Sequence, residues 1–389
     1  MRTVTHNAGY TKEYNRKQVL GLLLGGSLSR AELARRTGLT RAAISVIADE
    51  LLGEGLVEER AREGAASAKG RSPTPLALRP GSVCAVGVYL CRDGCRMGLV
   101  DLQGEVSCPR ALAPEEIRCP ETALERIAAL AGEILEEGGV PPGRLLGLGV
   151  SCPGPVDAAA GRLLDPPGFE AWHHARVADV LTRRTGLDTR LENNAYSLAL
   201  SEKSYGNARD LEEYMLLLVD TGVGSGLISR GRLFAGAHGF SGEIGHTSIR
   251  FDGERCSCGN RGCFELYASI PNLLRGFGLP YAAWGETVRR ARAGEPEAAA
   301  VLQREAAILA VGILNAATFL DMEAVLLDGD LLEAFDLLRG PIEQTVNGTG
   351  LARSYGRIRI LPASGGDHHR VRAAANIQFN RFLTPGIGG

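Results

Sequence analysis

Residues 214–265 read YMLLLVDTGVGSGLISRGRLFAGAHGFSGEIGHTSIRFDGERCSCGNRGCFE, and they hold three features in a fixed order. The first is an apolar run, Tyr214 to Val219, which is short enough to be a buried strand. A glycine-rich turn follows over residues 220–226, where a ligand could approach the backbone because few side chains stand in its way. The third feature is a group of metal-ligating residue types that begins just after Glu243.

That group is typical of a zinc site. It places three thiols and one imidazole within eighteen positions: His246, Cys256, Cys258 and Cys263. Four such ligands saturate a tetrahedral zinc ion and leave no position for water, so the sequence predicts a structural metal. The alternative is a disulfide or a set of unrelated buried thiols. A Cys-x-Cys pair makes a poor disulfide, because adjacent side chains of an extended segment point apart.

The composition bounds the class of protein. A chain of 389 residues is too long for one ordinary core, so two or three domains are expected. No apolar run reaches membrane-spanning length, and the N-terminus lacks the apolar region of a signal peptide. Nine cysteines, three of them grouped as ligands, suit a reducing compartment better than a secreted disulfide framework. We therefore expect a cytoplasmic protein with no membrane partner.

The charge is distributed unevenly along the chain. Residues 1–80 contain 13 Lys and Arg against 8 Asp and Glu, a net charge of +5, whereas the remaining 309 residues carry −7. A small basic segment joined to an acidic body suggests a module that binds a polyanion.

The basic segment has the pattern of a helix-turn-helix. Residues 15–25 predict a first helix, Ser29 to Glu32 match a capping box, and Thr40 can cap a third helix that runs to about Leu52. A glycine at position 38 makes the turn. In this motif the second helix of the pair enters the DNA major groove.

Two short strands around a polar segment predict a wing after these helices. Residues 55–60 and 74–78 are the candidate strands, so a winged helix-turn-helix domain over residues 1–80 is expected, with operator DNA as its partner. The alternative is a three-helix packing module with a flexible linker. The candidate DNA-binding residues lie on the third helix and at the tip of the wing: Thr40, Arg41, Ser45, Lys69 and Arg71.

From residue 82 onward, predicted strands alternate with predicted helices, which indicates an α/β sheet. Strand 145–150 leads into a loop that contains Gly154, and strand 189–191 leads into a helix that opens at residues 192–196. An alanine-rich helix over 296–319 precedes an apolar strand at 324–327, and a last helix is expected over 366–383.

The glycine turn, the Glu-x-x-His segment and the cysteines, in this order, resemble the signature region of the ROK family of repressors, open reading frames and sugar kinases. The resemblance covers nearly the whole chain from about residue 82 and favours the regulators of the xylose-repressor or N-acetylglucosamine-repressor type. It implies a two-lobed, actin-like (ribonuclease H-like) α/β domain. The first lobe would span residues 81–195, with a C-terminal helix at 370–389 returning to it, and the second lobe residues 196–369.

The resemblance also implies a sugar-binding site. The positions that match the family's motif are Asn193, Asn194, Glu243, His246 and Glu265, with the backbone of Gly154 beside the ligand. Carboxylates, amides and an imidazole suit a polyol, because each hydroxyl both donates and accepts hydrogen bonds. The alternative is that Glu243 and Glu265 only brace loops.

Two departures from the family's kinases argue against catalysis. The kinases carry Asp where this chain has Asn194, and an amide cannot take the proton of a sugar hydroxyl. They also carry Asp-x-Gly-Gly-Thr on the first hairpin, where this chain has Tyr89 to Asp93, whose bulky side chains would obstruct a phosphate.

Three hypotheses follow from the sequence. The first is a repressor, not an enzyme, that binds operator DNA as a homodimer or a dimer of dimers and senses a sugar or sugar phosphate, with one structural zinc ion. The second is a sugar kinase with an appended DNA-binding module. The third is a repressor whose sugar pocket is vestigial and whose signal is a partner protein.

Overall fold

The computed structural model describes residues 8–60, 74–366 and 368–383. The described chain forms two compact units, of which the first comprises the residues up to Glu192 and those from Arg370 onward, and the second comprises Asn193–His369. Lys69 and Arg71 at the predicted wing tip lie outside the described residues. None of the described helices is long and apolar enough to cross a membrane.

The helices and strands are as follows. The α-helices are α1 (Ala8–Leu24), α2 (Arg30–Thr37), α3 (Arg41–Gly53), α4 (Pro120–Gly138), α5 (Val177–Thr185), α6 (Asn194–Tyr205), α7 (Glu265–Ala268), α8 (Ile270–Arg275), α9 (Trp284–Arg292), α10 (Pro296–Leu320), α11 (Phe335–Asn347), α12 (Gly350–Tyr355) and α13 (His369–Leu383). The strands are β1 (Val57–Glu59), β2 (Leu76–Leu78), β3 (Cys84–Cys91), β4 (Gly94–Asp101), β5 (Val106–Leu112), β6 (Leu145–Cys152), β7 (Val156–Asp157), β8 (Arg162–Leu163), β9 (Thr189–Asn193), β10 (Tyr214–Val219), β11 (Val223–Ser229), β12 (Arg232–Leu233), β13 (Ala324–Asp328) and β14 (Arg359–Pro362).

The first three helices and the β1–β2 pair form the predicted winged helix. The capping box at the start of α2 is present, because Glu32 N donates to Ser29 Oγ at 3.2 Å while Ser29 N donates to Glu32 Oε2 at 2.8 Å. Gly38 turns the chain with a φ of +73°, a conformation that glycine adopts without strain. The first helix begins at Ala8, earlier than residue 15, where the apolar periodicity starts.

The two five-stranded sheets repeat one strand order. The first unit contains β5-β4-β3-β6-β9 and the second contains β12-β11-β10-β13-β14. In each sheet the first three strands along the chain form an antiparallel meander. The first strand of the meander, β3 or β10, lies at the centre of the sheet and also pairs in parallel with a strand that follows a helix, β6 or β13. This repetition in one chain confirms the predicted actin-like α/β fold.

The last helix, α13, packs on the first sheet through two glycines. A Cβ on Gly87 would lie 2.1 Å from Val371 O, and one on Gly149 would lie 2.0 Å from Ala374 O, so only glycine permits this approach. The last turn of α13 also reaches the winged helix, where Lys17 Nζ of α1 donates to Arg381 O at 3.3 Å.

Candidate functional site

The four predicted metal ligands come together in the second unit. The ligand atoms of His246, Cys256, Cys258 and Cys263 all lie within 4.8 Å of one another. His246 Nδ1 is 3.7 Å from Cys256 Sγ, and Cys258 Sγ is 3.6 Å from Cys263 Sγ. A tetrahedral ion with thiolates about 2.3 Å away separates its ligands by about 3.8 Å, so the four atoms fit such an ion.

Backbone hydrogen bonds hold this cluster in place. Cys256 N donates to Asn260 O at 2.8 Å, which closes a tight turn around Cys258, and Asn260 Nδ2 donates to His246 O at 3.1 Å. Gly262 has a φ of +61°, and a Cβ there would lie 1.7 Å from Arg250 O. Gly262, just before Cys263, is therefore required for the loop to close.

His246 and Glu265 both lie close enough to Glu243 to affect the pKa of its carboxyl. Burial raises the pKa of the Glu243 carboxyl above its usual value; nearby His246 lowers that pKa, and the carboxylate of Glu265 raises it. Glu265 Oε2 also accepts a hydrogen bond from Val223 N at 2.9 Å, at the start of β11. Glu265 thus braces the glycine turn, as the alternative interpretation of the sequence expects.

Asn193 and Asn194 stand at the start of α6. The side-chain oxygens of both residues accept a hydrogen bond from Ala195 N at 2.8 Å, so both amides help to cap the helix. Gly154 lies in the loop after β6, in the first unit, whereas the other five candidate sugar ligands belong to the second unit.

Gly226 of the glycine-rich turn has a different role from the ligand access that the sequence suggested, and Gly245, just before His246, has the same role as Gly226. A Cβ on Gly226 would lie 2.4 Å from Ala195 O of α6, and one on Gly245 would lie 2.2 Å from Val223 O. These two glycines allow protein backbone, rather than a ligand, to approach closely. Ligand access therefore does not explain Gly226.

Sequence reasoning missed two residues that hold the loop before Glu243. Tyr196 Oη, on α6, donates to Gly239 O at 3.1 Å and to Ser241 O. Ser225 Oγ donates to Gly242 O at 2.7 Å. The sequence shows a tyrosine near the start of α6, but it does not show that this side chain bonds to a loop more than forty residues further along the chain.

The β3–β4 hairpin, where the family's kinases approach phosphate, is filled by its own side chains. Tyr89 is 1% exposed, and the guanidinium of Arg370 lies over its ring at 5.5 Å. Cys91 is buried, and its Sγ lies 2.6 Å from Asp93 Oδ1. Arg92 Nε donates to Pro167 O at 3.0 Å, which ties the hairpin to a neighbouring loop.

Three of the five candidate DNA-binding residues, Thr40, Arg41 and Ser45, lie at the start of α3. Thr40 Oγ1 accepts from Ala43 N at 3.1 Å and caps the helix, and the exposed Arg41 makes no ion pair with any described residue. Ser45 Oγ donates to Arg41 O at 3.0 Å. Val46 on the same helix is 58% exposed, a feature that the sequence analysis did not single out. The buried face of α3 consists of Ile44, Ile47, Ala48 and Leu51.

Comparison with known families settles the class of protein. The ROK family model matches residues 85–380. The chain belongs to the ROK family. The MarR family model matches residues 13–66 of this ROK protein, which agrees with the winged helix at its N-terminus.

Relatives with both parts align along most of this ROK protein. It is 26% identical over 377 residues to the xylose repressor of Bacillus subtilis strain 168, covering 96% of this chain and 97% of that protein. It is 28% identical over 358 residues to the DNA-binding transcriptional dual regulator NagC of Escherichia coli strain K12, and the alignment covers 88% of this chain and 86% of that protein.

The structural comparison gives the same family. A ROK family transcriptional regulator described as a homologue of the E. coli Mlc protein has a TM-score of 0.79 and 25% identity, over 96% of this chain and 97% of that one. Solved ROK sugar kinases match about three quarters of the chain. The expected resemblance to ROK regulators is thereby confirmed.

Proposed function

We propose that this ROK protein is a transcriptional repressor of sugar-metabolism genes whose affinity for operator DNA is set by a sugar or sugar derivative. The observation that carries the proposal is a winged helix with an exposed face on α3, joined to a ROK domain, in a chain that aligns along most of its length with a named xylose repressor and with named transcriptional regulators. Regulation would require operator binding through α3 and effector binding in the second unit.

The metal cluster holds one structural zinc ion in this proposal. Three thiolates and one imidazole leave no open position for water, which suits a structural ion rather than a catalytic one. His246 uses one ring nitrogen for the metal, so the ion fixes the orientation of the ring and leaves the other nitrogen for a sugar hydroxyl. His246 N also donates to Glu243 O at 3.1 Å, so the metal would hold the turn that carries Glu243.

The effector is a sugar or sugar phosphate bound by Asn193, Asn194, Glu243, His246 and Glu265 of the second unit. Glu243 is the strongest of these candidates, because its half-buried carboxyl makes no side-chain hydrogen bond with a described residue while a raised pKa marks its desolvation. Lys69 and Arg71 are proposed to contact DNA on sequence grounds alone.

The protein is proposed not to be an enzyme, and two alternatives remain testable. A sugar kinase with an appended winged helix would need both a general base and an open phosphate hairpin, and residues 194 and 89–93 supply neither. A repressor with a vestigial pocket would respond to a partner protein but to no sugar. The expected location is the cytoplasm.

An Arg41→Ala substitution should weaken binding to operator DNA by about 1–3 kcal/mol and relax its sequence preference, because an exposed arginine at the start of a recognition helix reaches base edges. Fluorescence anisotropy against an operator selected from random duplexes, and against a scrambled duplex, measures both effects. Arg339→Ala removes the same charge from α11 in the second unit and should leave both affinities unchanged. Equal operator affinities for Arg41→Ala and wild type would refute this docking of α3.

A further inference from the structure

An apolar side chain stands on the outward face of α3. Val46, in the second turn of the helix, is 58% exposed. Valine forms helices less readily than alanine, and its methyl groups gain nothing from contact with water. The packing of the described part of the winged helix therefore gives no reason for a valine at this position.

Val46 lies close to the centre of the exposed face of α3. Residues of an α-helix follow one another at about 100° around its axis. The buried residues of α3 are Ile44, Ile47, Ala48 and Leu51. The direction opposite to their mean falls between Ala42 and Val46, whereas Arg41 points about 110° away from it. A surface that docks on this face therefore meets Val46 more directly than Arg41.

The side chains next to Val46 leave its methyl groups accessible. Ala42, one turn earlier, is exposed and carries only a methyl group. Asp49 is paired with α2, because its Oδ1 lies 3.0 Å from Arg30 Nη2. Ser45 Oγ donates to Arg41 O, which keeps the hydroxyl close to the backbone. The centre of the face is thus apolar and contains no unpaired charge.

Unpaired cations lie on the two helices that carry this face. Arg35 and Arg36 are in the last turn of α2, and Arg41 begins α3. All three are exposed, and none makes an ion pair with a residue that the structure describes. Such cations suit a polyanion, and an apolar centre suits a partner with a methyl group at that point. A DNA major groove that contains thymine has both properties.

We propose that Val46 is a specificity-determining residue that packs against the 5-methyl group of a thymine in the operator. Among the four bases only thymine presents a methyl group in the major groove, where apolar side chains contact it. The contact removes both groups from water, so a base without the methyl group is disfavoured. The inference rests on the proposed function, because it requires α3 to lie in the major groove of operator DNA.

Deoxyuridine is the probe for this contact, because it pairs as thymine does and lacks only the methyl group. An operator is selected from random duplexes, and each of its thymines is replaced in turn by deoxyuridine. Fluorescence anisotropy then measures the affinity of the full chain for each duplex. The wild type should lose about fourfold in affinity at one or more thymines, as expected for one buried methyl group.

Val46→Ala should bind the thymine and deoxyuridine duplexes equally at that position. Val46→Thr keeps one methyl group and should retain part of the difference, because the methyl group of threonine also contacts thymine. Val311→Ala is the matched control, since Val311 is 42% exposed on α10 in the second unit, and it should keep the full difference.

Two results would overturn the inference and leave operator binding by α3 in place. One is a wild type that is indifferent to deoxyuridine at every position of the selected operator. The other is a Val46→Ala variant that loses as much affinity as the wild type at the same thymine. A wild type that selects no duplex over random sequence would overturn the proposed function, and the role of Val46 with it.

Discussion

A Cys258→Ser variant should contain no bound zinc, whereas the wild type should contain one ion per chain. Cys258 is one of four ligand atoms within 4.8 Å, and the remaining three cannot close a tetrahedral structural site. Loss of the ion should cost on the order of 4 kcal/mol of folding stability. For a domain of this size that lowers Tm by about 10 °C. Elemental analysis and thermal unfolding of the two purified proteins measure both quantities.

The same substitution should weaken sugar binding, because the backbone of His246 bonds to that of Glu243 and the metal holds this turn. Cys119→Ser is the matched control: Cys119 is an exposed thiol in the first unit, so the variant should keep its zinc and its Tm. A wild type purified under metal-replete conditions without zinc would contradict the metal assignment.

The purified protein should produce no ADP from ATP with any hexose, pentose or amino sugar. Loss of a positioned general base costs about 10²–10⁴-fold in rate, and here the amide of Asn194 stands where the family's kinases have a carboxylate. The second defect is independent, because the buried Tyr89 and the Cys91–Asp93 contact fill the hairpin that would approach phosphate. A coupled ADP assay measures turnover directly.

Asn194→Asp tests the two defects separately. The substitution returns a carboxylate to the position of the base but leaves the hairpin unchanged, so activity should stay absent. Turnover in the wild type would establish the kinase alternative. Turnover in Asn194→Asp alone would show that the hairpin is no obstacle and that only the base is missing.

The metal cluster could be predicted from the sequence because ligand chemistry depends on residue types and short spacing. Three cysteines and a histidine within eighteen positions specify the site before any fold is known, and the structure brings the same four atoms together. The winged helix was predictable for a related reason. Its capping box, its turn glycine and its apolar stripe are all local signals, and each is found where it was expected.

Contacts between distant segments could not be predicted in this way. Gly226 was interpreted through ligand access, but its lack of a side chain serves the packing of α6, which lies about thirty residues earlier. Loop bracing by Glu265 was considered as the alternative to sugar binding, but its partner Val223 lies 42 residues away and could not be named from the sequence. Phe319, in the last turn of α10, is 88% exposed, and the sequence did not reveal this because periodicity within an alanine-rich helix does not show where its packing neighbours end.

Coupling between the proposed sugar site and the operator would require a change of conformation. The candidate effector residues of the second unit lie in a different part of the chain from α3, so a sugar can alter DNA affinity only by favouring one arrangement of the protein over another. By linkage, operator DNA must then change sugar affinity by the same factor.

The most direct test is a titration of operator binding with and without a sugar, in the wild type and in Glu243→Ala. The sugar is the one, free or phosphorylated, that most raises Tm in a thermal-shift panel. It should change the operator affinity of the wild type by about fivefold or more. Glu243→Ala should abolish this shift and keep both its zinc and its sugar-free operator affinity. A sugar that binds the wild type, loses affinity in Glu243→Ala and yet leaves operator affinity unchanged would contradict the account.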